Sequence, residues 1–127
     1  MPGPKAKELT ERELAVMRVF WDDGPATADE ARERLENSGV ELAYVTVANV
    51  VRGLEDKGFL RQLNSIRPFQ YEAARTFDDV SKRLVGDLVE RLFDGSRQEL
   101  LVSVLGRKRL TKKEREFLKQ VLKEQGE

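Results

Sequence analysis

ELAYVTVANVVRGLEDKGFL, residues 41 to 60, holds ten consecutive uncharged residues, Leu42 to Val51, in a chain of which 36% is charged. Valine and threonine favour strands, so a buried strand is one reading of the run. Helical spacing argues otherwise: Val47, Val50, Val51 and Leu54 fall at i, i+3, i+4 and i+7, and Lys57-Gly58 follows as a stop. The spacing predicts a helix over about Ala43 to Lys57. At 100° per residue those four face a core, while Val45, Asn49, Arg52 and Asp56 face away, flanked by Thr46, Ala48 and Gly53. The outward stripe is short-chained and nearly free of acid at its start, although a plain buried core helix is also compatible with so many valines.

The neighbouring segments decide the context. Thr10/Glu13, Thr27/Glu30, Ser96/Glu99 and Thr111/Glu114 each place a glutamate three residues after a hydroxyl, ahead of an amphipathic run. Each is a capping-box signature and predicts a helix start. The first helix then spans about Thr10 to Asp22, with Leu14, Met17, Val19, Phe20 and Trp21 as its apolar face, and Gly24-Pro25 ends it. The second, about Ala28 to Asn37, turns Ala31 and Leu35 inward. After Gly58 the period changes to that of strands, with Phe59, Leu60 and Leu63, a turn-like NSIRP centre, then Phe69 and Tyr71. That pattern predicts a β-hairpin carrying Arg61 on one arm and Arg67 in its loop. Helices follow over about Asp78 to Phe93, Arg97 to Leu105 and Lys112 to Lys123.

Three helices and a two-stranded hairpin are the layout of a winged helix-turn-helix, whose third helix enters the DNA major groove. The fold class expected is therefore mainly α: a winged helix over residues 1–76, then a three-helix dimerisation region over 77–127. A helix between phosphate walls needs small side chains near its start and a few donors and acceptors aimed at base edges. The chemistry assigns Asn49 to adenine, Arg52 to guanine or phosphate, and Thr46 to phosphate or base. Val45 and Ala48 suit thymine methyls, Tyr44 a phosphate, and Arg61 and Arg67 the neighbouring backbone or minor groove. The alternative is a winged-helix protein–protein interaction module, favoured by the apolar Val45 and by the balance of 23 basic against 23 acidic residues.

Composition closes off other classes. The chain has no cysteine and no histidine, which removes thiol chemistry, the commonest general base and the usual zinc ligands. No carboxylate pair sits in an apolar setting, so no catalytic residue, metal site or cofactor is expected. No apolar run approaches a membrane span of ~20 residues, and the first residues lack the apolar core of a signal peptide, so a cytoplasmic protein without membrane contact is expected.

The stretches LTERELAVMRVFWDDGPATADEARERL (9–35), LAYVTVANVVRGLEDKGFL (42–60) and RLFDGS (91–96) resemble the penicillinase-repressor family of bacterial transcriptional repressors. The resemblance is carried by Met17-x-x-Phe20-Trp21, Gly24-Pro25-Ala26-Thr27, Tyr44-x-Thr46-Val47 and Leu92-Phe93-Asp94-Gly95-Ser96, and extends from about Leu9 to Leu122. It implies a homodimer that represses transcription from a palindromic double-stranded operator, relieved by a sensor or protease partner. Departures are specific. Family members commonly carry Thr or Lys at Val45, Thr at Asn49 and Arg at Gly53, and the Asn-Phe bond cleaved in proteolytically inactivated members corresponds to Ser103-Val104 here.

The carboxyl-terminal half reads as an association region on its own residues. Val80, Leu84, Leu88 and Leu92 lie on a stripe wider than one neighbouring helix needs, and Leu101, Leu105, Phe117 and Val121 add further apolar faces. About fifty residues in three helices hardly close a core alone, so these eight are the expected dimerisation residues. Folding back onto the winged helix is the competing arrangement. The basic cluster from Arg107 to Arg115 reads as a solvated loop and first helical turn, with direct DNA contact as its alternative.

Overall fold

The fold is seen in a computed structural model that describes residues 9–106 and 109–126. Among the described residues six helices and three strands follow in the order α1 (Glu11–Asp23), β1 (Ala26–Thr27), α2 (Ala28–Asn37), α3 (Tyr44–Asp56), β2 (Leu60–Gln62), β3 (Gln70–Ala73), α4 (Phe77–Leu92), α5 (Arg97–Leu105) and α6 (Lys112–Gln125). The chain divides into two compact units between Val85 and Gly86, so the first half of α4 belongs with the amino-terminal unit.

Helix starts follow the hydroxyl–glutamate pairs. Thr10, Thr27 and Thr111 each accept from the amide three residues on, and the glutamate there accepts from the threonine amide in return. Ser96 differs. Its hydroxyl accepts from the Glu99 amide, but its own amide donates to the Phe93 carbonyl at 2.9 Å, which leaves no donor for the reciprocal bond. The reason lies in the preceding turn, where Asp94 (φ 54°) and Gly95 (φ 84°) both adopt left-handed backbone and Gly95 donates to the Val89 carbonyl. Glycine and, less readily, aspartate tolerate that region.

The core of the first unit is built on α3. Val47, Val51 and Leu54 are fully buried against Val16, Met17, Val19 and Phe20 of α1 and Ala31 and Leu35 of α2, with Val50 packed at the margin. The α1 face is rotated slightly from the expected one: Val16 is fully buried and Leu14 only half so. Gly58 (φ 86°) closes α3 by donating to the Glu55 carbonyl, while Phe59 donates back to the Leu54 carbonyl. This six-to-one closure satisfies the last carbonyls and turns Phe59 and Leu60 into the core.

The sheet has one strand more than the expected hairpin. β3 pairs antiparallel with β2, in the register Leu60↔Ala73, Arg61↔Glu72 and Gln62↔Tyr71, and on its other side with β1, through Ala26↔Tyr71 and Thr27↔Gln70. Thr27 thus serves twice, as a strand residue and as the cap of α2.

Charged and aromatic contacts fasten the rim. Lys57, at the end of α3, reaches both oxygens of Glu13 at 2.9 and 3.1 Å, while Glu13 Oε1 also accepts from the Thr10 amide at 2.8 Å. Burial alone would push the Glu13 carboxyl up, but the Thr10 amide and the Lys57 ammonium outweigh it and hold the group below its ordinary range. The Trp21 indole donates to the Arg75 carbonyl at 2.9 Å and packs edge-on against Phe77, over which Arg18 lies at 4.9 Å. Phe77 and Val80 therefore join the first half of α4 to the winged-helix core. Val80, expected in a dimer face, is 1% exposed in that core. Its side of α4 is covered by the same chain, so the residue is withdrawn from the dimerisation set.

In the second unit Val89 is the single buried apolar residue among those described. Arg107 and Lys108 of the basic cluster lie outside the described residues, and Arg109, Lys112, Lys113 and Arg115 are exposed.

Candidate nucleic-acid interface

The valines that bury one face of α3 leave the opposite face to solvent. Val45 is 66% exposed and Tyr44 52%, and Asn49, Arg52 and Asp56 are exposed as well, while Thr46 and Ala48 are half-buried at the edges of the stripe. All six recognition-helix candidates thus stand on one side of one helix. Arg52 Nη1 donates to Asn49 Oδ1 at 3.4 Å, a long bond that a base edge can replace on both partners.

Ala43 caps α3 with its backbone alone: among the described residues no side chain accepts from the first-turn amides, and no acid stands in that turn. The start of α3 therefore offers unfilled donors and the positive end of the helix dipole, an arrangement compatible with phosphate. The capped starts of α1, α2 and α6 carry glutamate instead.

The hairpin stands beside this face. α3, the start of α2 and the wing enclose a groove of about 290 Å³ lined by Tyr44, Ala48, Arg52, Glu55, Arg67 and Tyr71 among others. Burial, and then the Glu55 carboxylate, push the Tyr71 phenol above its ordinary value, so it remains a neutral hydroxyl at physiological pH. Arg67 lies 5.2 Å over the Phe69 ring and has no ion pair among the described residues. Arg61 is placed differently from the expectation of a phosphate contact. Its Nε donates to Glu72 Oε2 at 2.7 Å, directly across the β2–β3 pair, so the carboxylate already occupies it. The strand register is the signal that finds this pair: a turn centred between Ile66 and Arg67 sets Arg61 opposite Glu72.

Of the remaining expected dimerisation residues, Leu88, Leu92, Leu101, Leu105 and Phe117 are exposed, Val121 is half-buried, and Leu84 packs at the margin of the first unit's core. Sequence reading passed over Ile66 at the wing tip, which is 76% exposed. Among the described residues no helix is long and apolar enough to cross a membrane.

A helix-turn-helix with a winged sheet and an exposed third helix defines the winged-helix fold. Over residues 9–124 the chain matches the penicillinase repressor family model, and it belongs to that family; the family match makes it a DNA-binding transcriptional repressor. It is 21% identical, over 93% of its length and 95% of the relative's, to the methicillin resistance regulatory protein MecI of Staphylococcus epidermidis. Its fold is similar to the complex structure of hsRosR-SG, with a TM-score of 0.54, 14% identity and 96% of each chain covered. It is also similar to the transcriptional regulator Tm0710 from Thermotoga maritima, with a TM-score of 0.50, 20% identity, and coverage of 93% of this chain and 74% of that one.

Proposed function

We propose that this repressor binds a palindromic operator as a homodimer, with α3 of each copy in a major groove and the wing against the adjoining backbone. The observation that carries the reading is the division of α3: Val47, Val51 and Leu54 are buried while Val45, Asn49 and Arg52 are open to solvent. Asn49 reads adenine through its amide and Arg52 reads guanine or an adjacent phosphate once their mutual bond is exchanged. Val45 and Ala48 meet thymine methyls, and Thr46 and Tyr44 donate to phosphates near the unfilled amides of the first turn. Arg67 supplies charge from the wing, with Arg61 held in reserve by Glu72.

The dimerisation region is the second unit, from Gly86 onward, seated on Leu88, Leu92, Leu101, Leu105, Phe117 and Val121. A helical unit with one buried apolar residue among those described lacks a core of its own, and a second copy covering these side chains supplies it. Twofold symmetry then sets two α3 helices about 34 Å apart or a multiple of it, one per half-site. The protein acts in the cytoplasm by occupying DNA rather than by catalysis, and a sensor partner relieves repression by a route other than cleavage of the family's Asn-Phe bond, whose place Ser103-Val104 takes.

The test is an anisotropy titration of a labelled duplex taken from the DNA upstream of the protein's own coding sequence, against a scrambled duplex at ~150 mM salt. Preference for the upstream duplex is expected. Asn49→Ala should flatten that preference by about tenfold or more, whereas Arg67→Ala should weaken both duplexes alike. Equal binding of the two duplexes by the unaltered protein would overturn the reading.

A further inference from the structure

The wing tip combines a set of side-chain-to-backbone hydrogen bonds with an exposed apolar side chain. One residue, Asn64, organises it. Its side-chain oxygen accepts from the Gln70 amide at 2.8 Å, and its side-chain nitrogen donates to the carbonyls of Ile66 at 3.0 Å and Pro68 at 3.2 Å. Gln62 donates to the Asn64 carbonyl at 2.6 Å, and Leu63 donates to the Gln70 carbonyl at 2.7 Å. These bonds engage the carbonyls of Asn64, Ile66 and Pro68 and both backbone groups of Gln70, and leave the Ile66 side chain projecting. At 76% it is the most exposed large apolar side chain among the described residues. Its neighbour Arg67 is held against Phe69 without a carboxylate partner among the described residues.

Resting on the winged-helix operator reading, we propose that Ile66 is a specificity-determining residue, pressed against the floor of the minor groove beside each half-site, with Arg67 in the same groove. The minor groove is about 6 Å wide, which admits an aliphatic side chain and a guanidinium but no helix. Its floor differs between pairs in one respect: G·C carries the guanine 2-amino group, and A·T does not. An isoleucine offers that amino group no acceptor and would strip its water, so Ile66 selects flanking pairs that lack it. Arg67 reinforces the choice, because narrow A·T-rich minor grooves concentrate negative potential. The wing thereby reads a flank that α3 never touches.

Inosine separates the grooves. An inosine·cytosine pair matches G·C in the major groove but lacks the 2-amino group in the minor groove. The full-length protein first selects a duplex from a random pool, and the flanking pairs of that duplex are then changed to A·T, G·C or inosine·cytosine. We expect A·T and inosine·cytosine flanks to bind alike, and about five- to tenfold more tightly than G·C flanks. Ile66→Ala should remove most of that difference and leave the smaller preference owed to Arg67, with the thermal midpoint unchanged because the side chain is exposed. Inosine·cytosine flanks binding as weakly as G·C, or full discrimination by Ile66→Ala, would overturn the assignment while leaving the α3 reading intact. Failure to select any duplex, together with no effect of Asn49→Ala, would overturn both.

Discussion

Replacing Glu13 by glutamine removes one charge and the acceptor nearest Lys57 Nζ. Glutamine keeps the capping box with Thr10, since its amide oxygen still accepts from the Thr10 amide, so the substitution isolates the attraction between α1 and Lys57 at the end of α3. The Glu13 side chain is 14% exposed and that of Lys57 32%, which places the pair between a solvated ion pair and a buried one. Solvated pairs contribute up to about 1 kcal/mol, and breaking a buried one costs about 3–5 kcal/mol. Solvent at Lys57 keeps this pair near the lower figure, so Glu13→Gln should cost about 1 kcal/mol near pH 7. For a unit of this size that lowers the thermal midpoint by about 4–8 °C. The folded carboxyl titrates below its ordinary 4.5, so it ionises more readily folded than unfolded. Its stabilisation is present above that ordinary value and is lost as pH falls through the lower folded one. Urea unfolding of both proteins near pH 7 and near pH 3 should therefore show the gap closing in acid. A gap of the same size at both, or strict additivity with Lys57→Met in a double-mutant cycle, would refute the reasoning.

Other expectations concern charge and association. Glu72→Gln frees Arg61 on the wing, and should tighten binding to all duplexes and steepen the dependence of log K on log salt by about one unit. An unchanged slope would mean that Arg61 stays away from phosphate. Leu101→Glu combined with Phe117→Glu places charge on two exposed apolar positions, and should give a monomer by analytical ultracentrifugation that has lost operator binding by about a hundredfold or more. A dimer that persists would move the association face elsewhere.

The legible parts of this fold are those written locally. The starts of α1, α2 and α6 follow from hydroxyl–glutamate pairs three residues apart, and the end of α3 from Lys57-Gly58, because caps depend on a handful of neighbouring atoms. The two faces of α3 were legible too, since helical spacing alone separates Val47, Val51 and Leu54 from Val45, Asn49 and Arg52. What escaped depends on distant partners. β1 is two residues long, too short to show alternation, and exists through pairing with Tyr71 and Gln70. Val80 and Leu88 lie on the same apolar side of α4, yet the first is sealed by the winged helix and the second is exposed; periodicity names a face and not its cover. The ion pair of Arg61 with Glu72 needs the hairpin register, and the projection of Ile66 needs the bonds made by Asn64.

The indole of Trp21, held between the Arg75 carbonyl and the Phe77 ring, belongs to the only tryptophan in the chain. Nearly all ultraviolet emission excited at the red edge of protein absorption thus originates at the place where the start of α4 packs against α1. A spectrometer can follow that joint without any attached dye, and a blue or red displacement of the band on adding DNA would report whether the joint tightens or loosens.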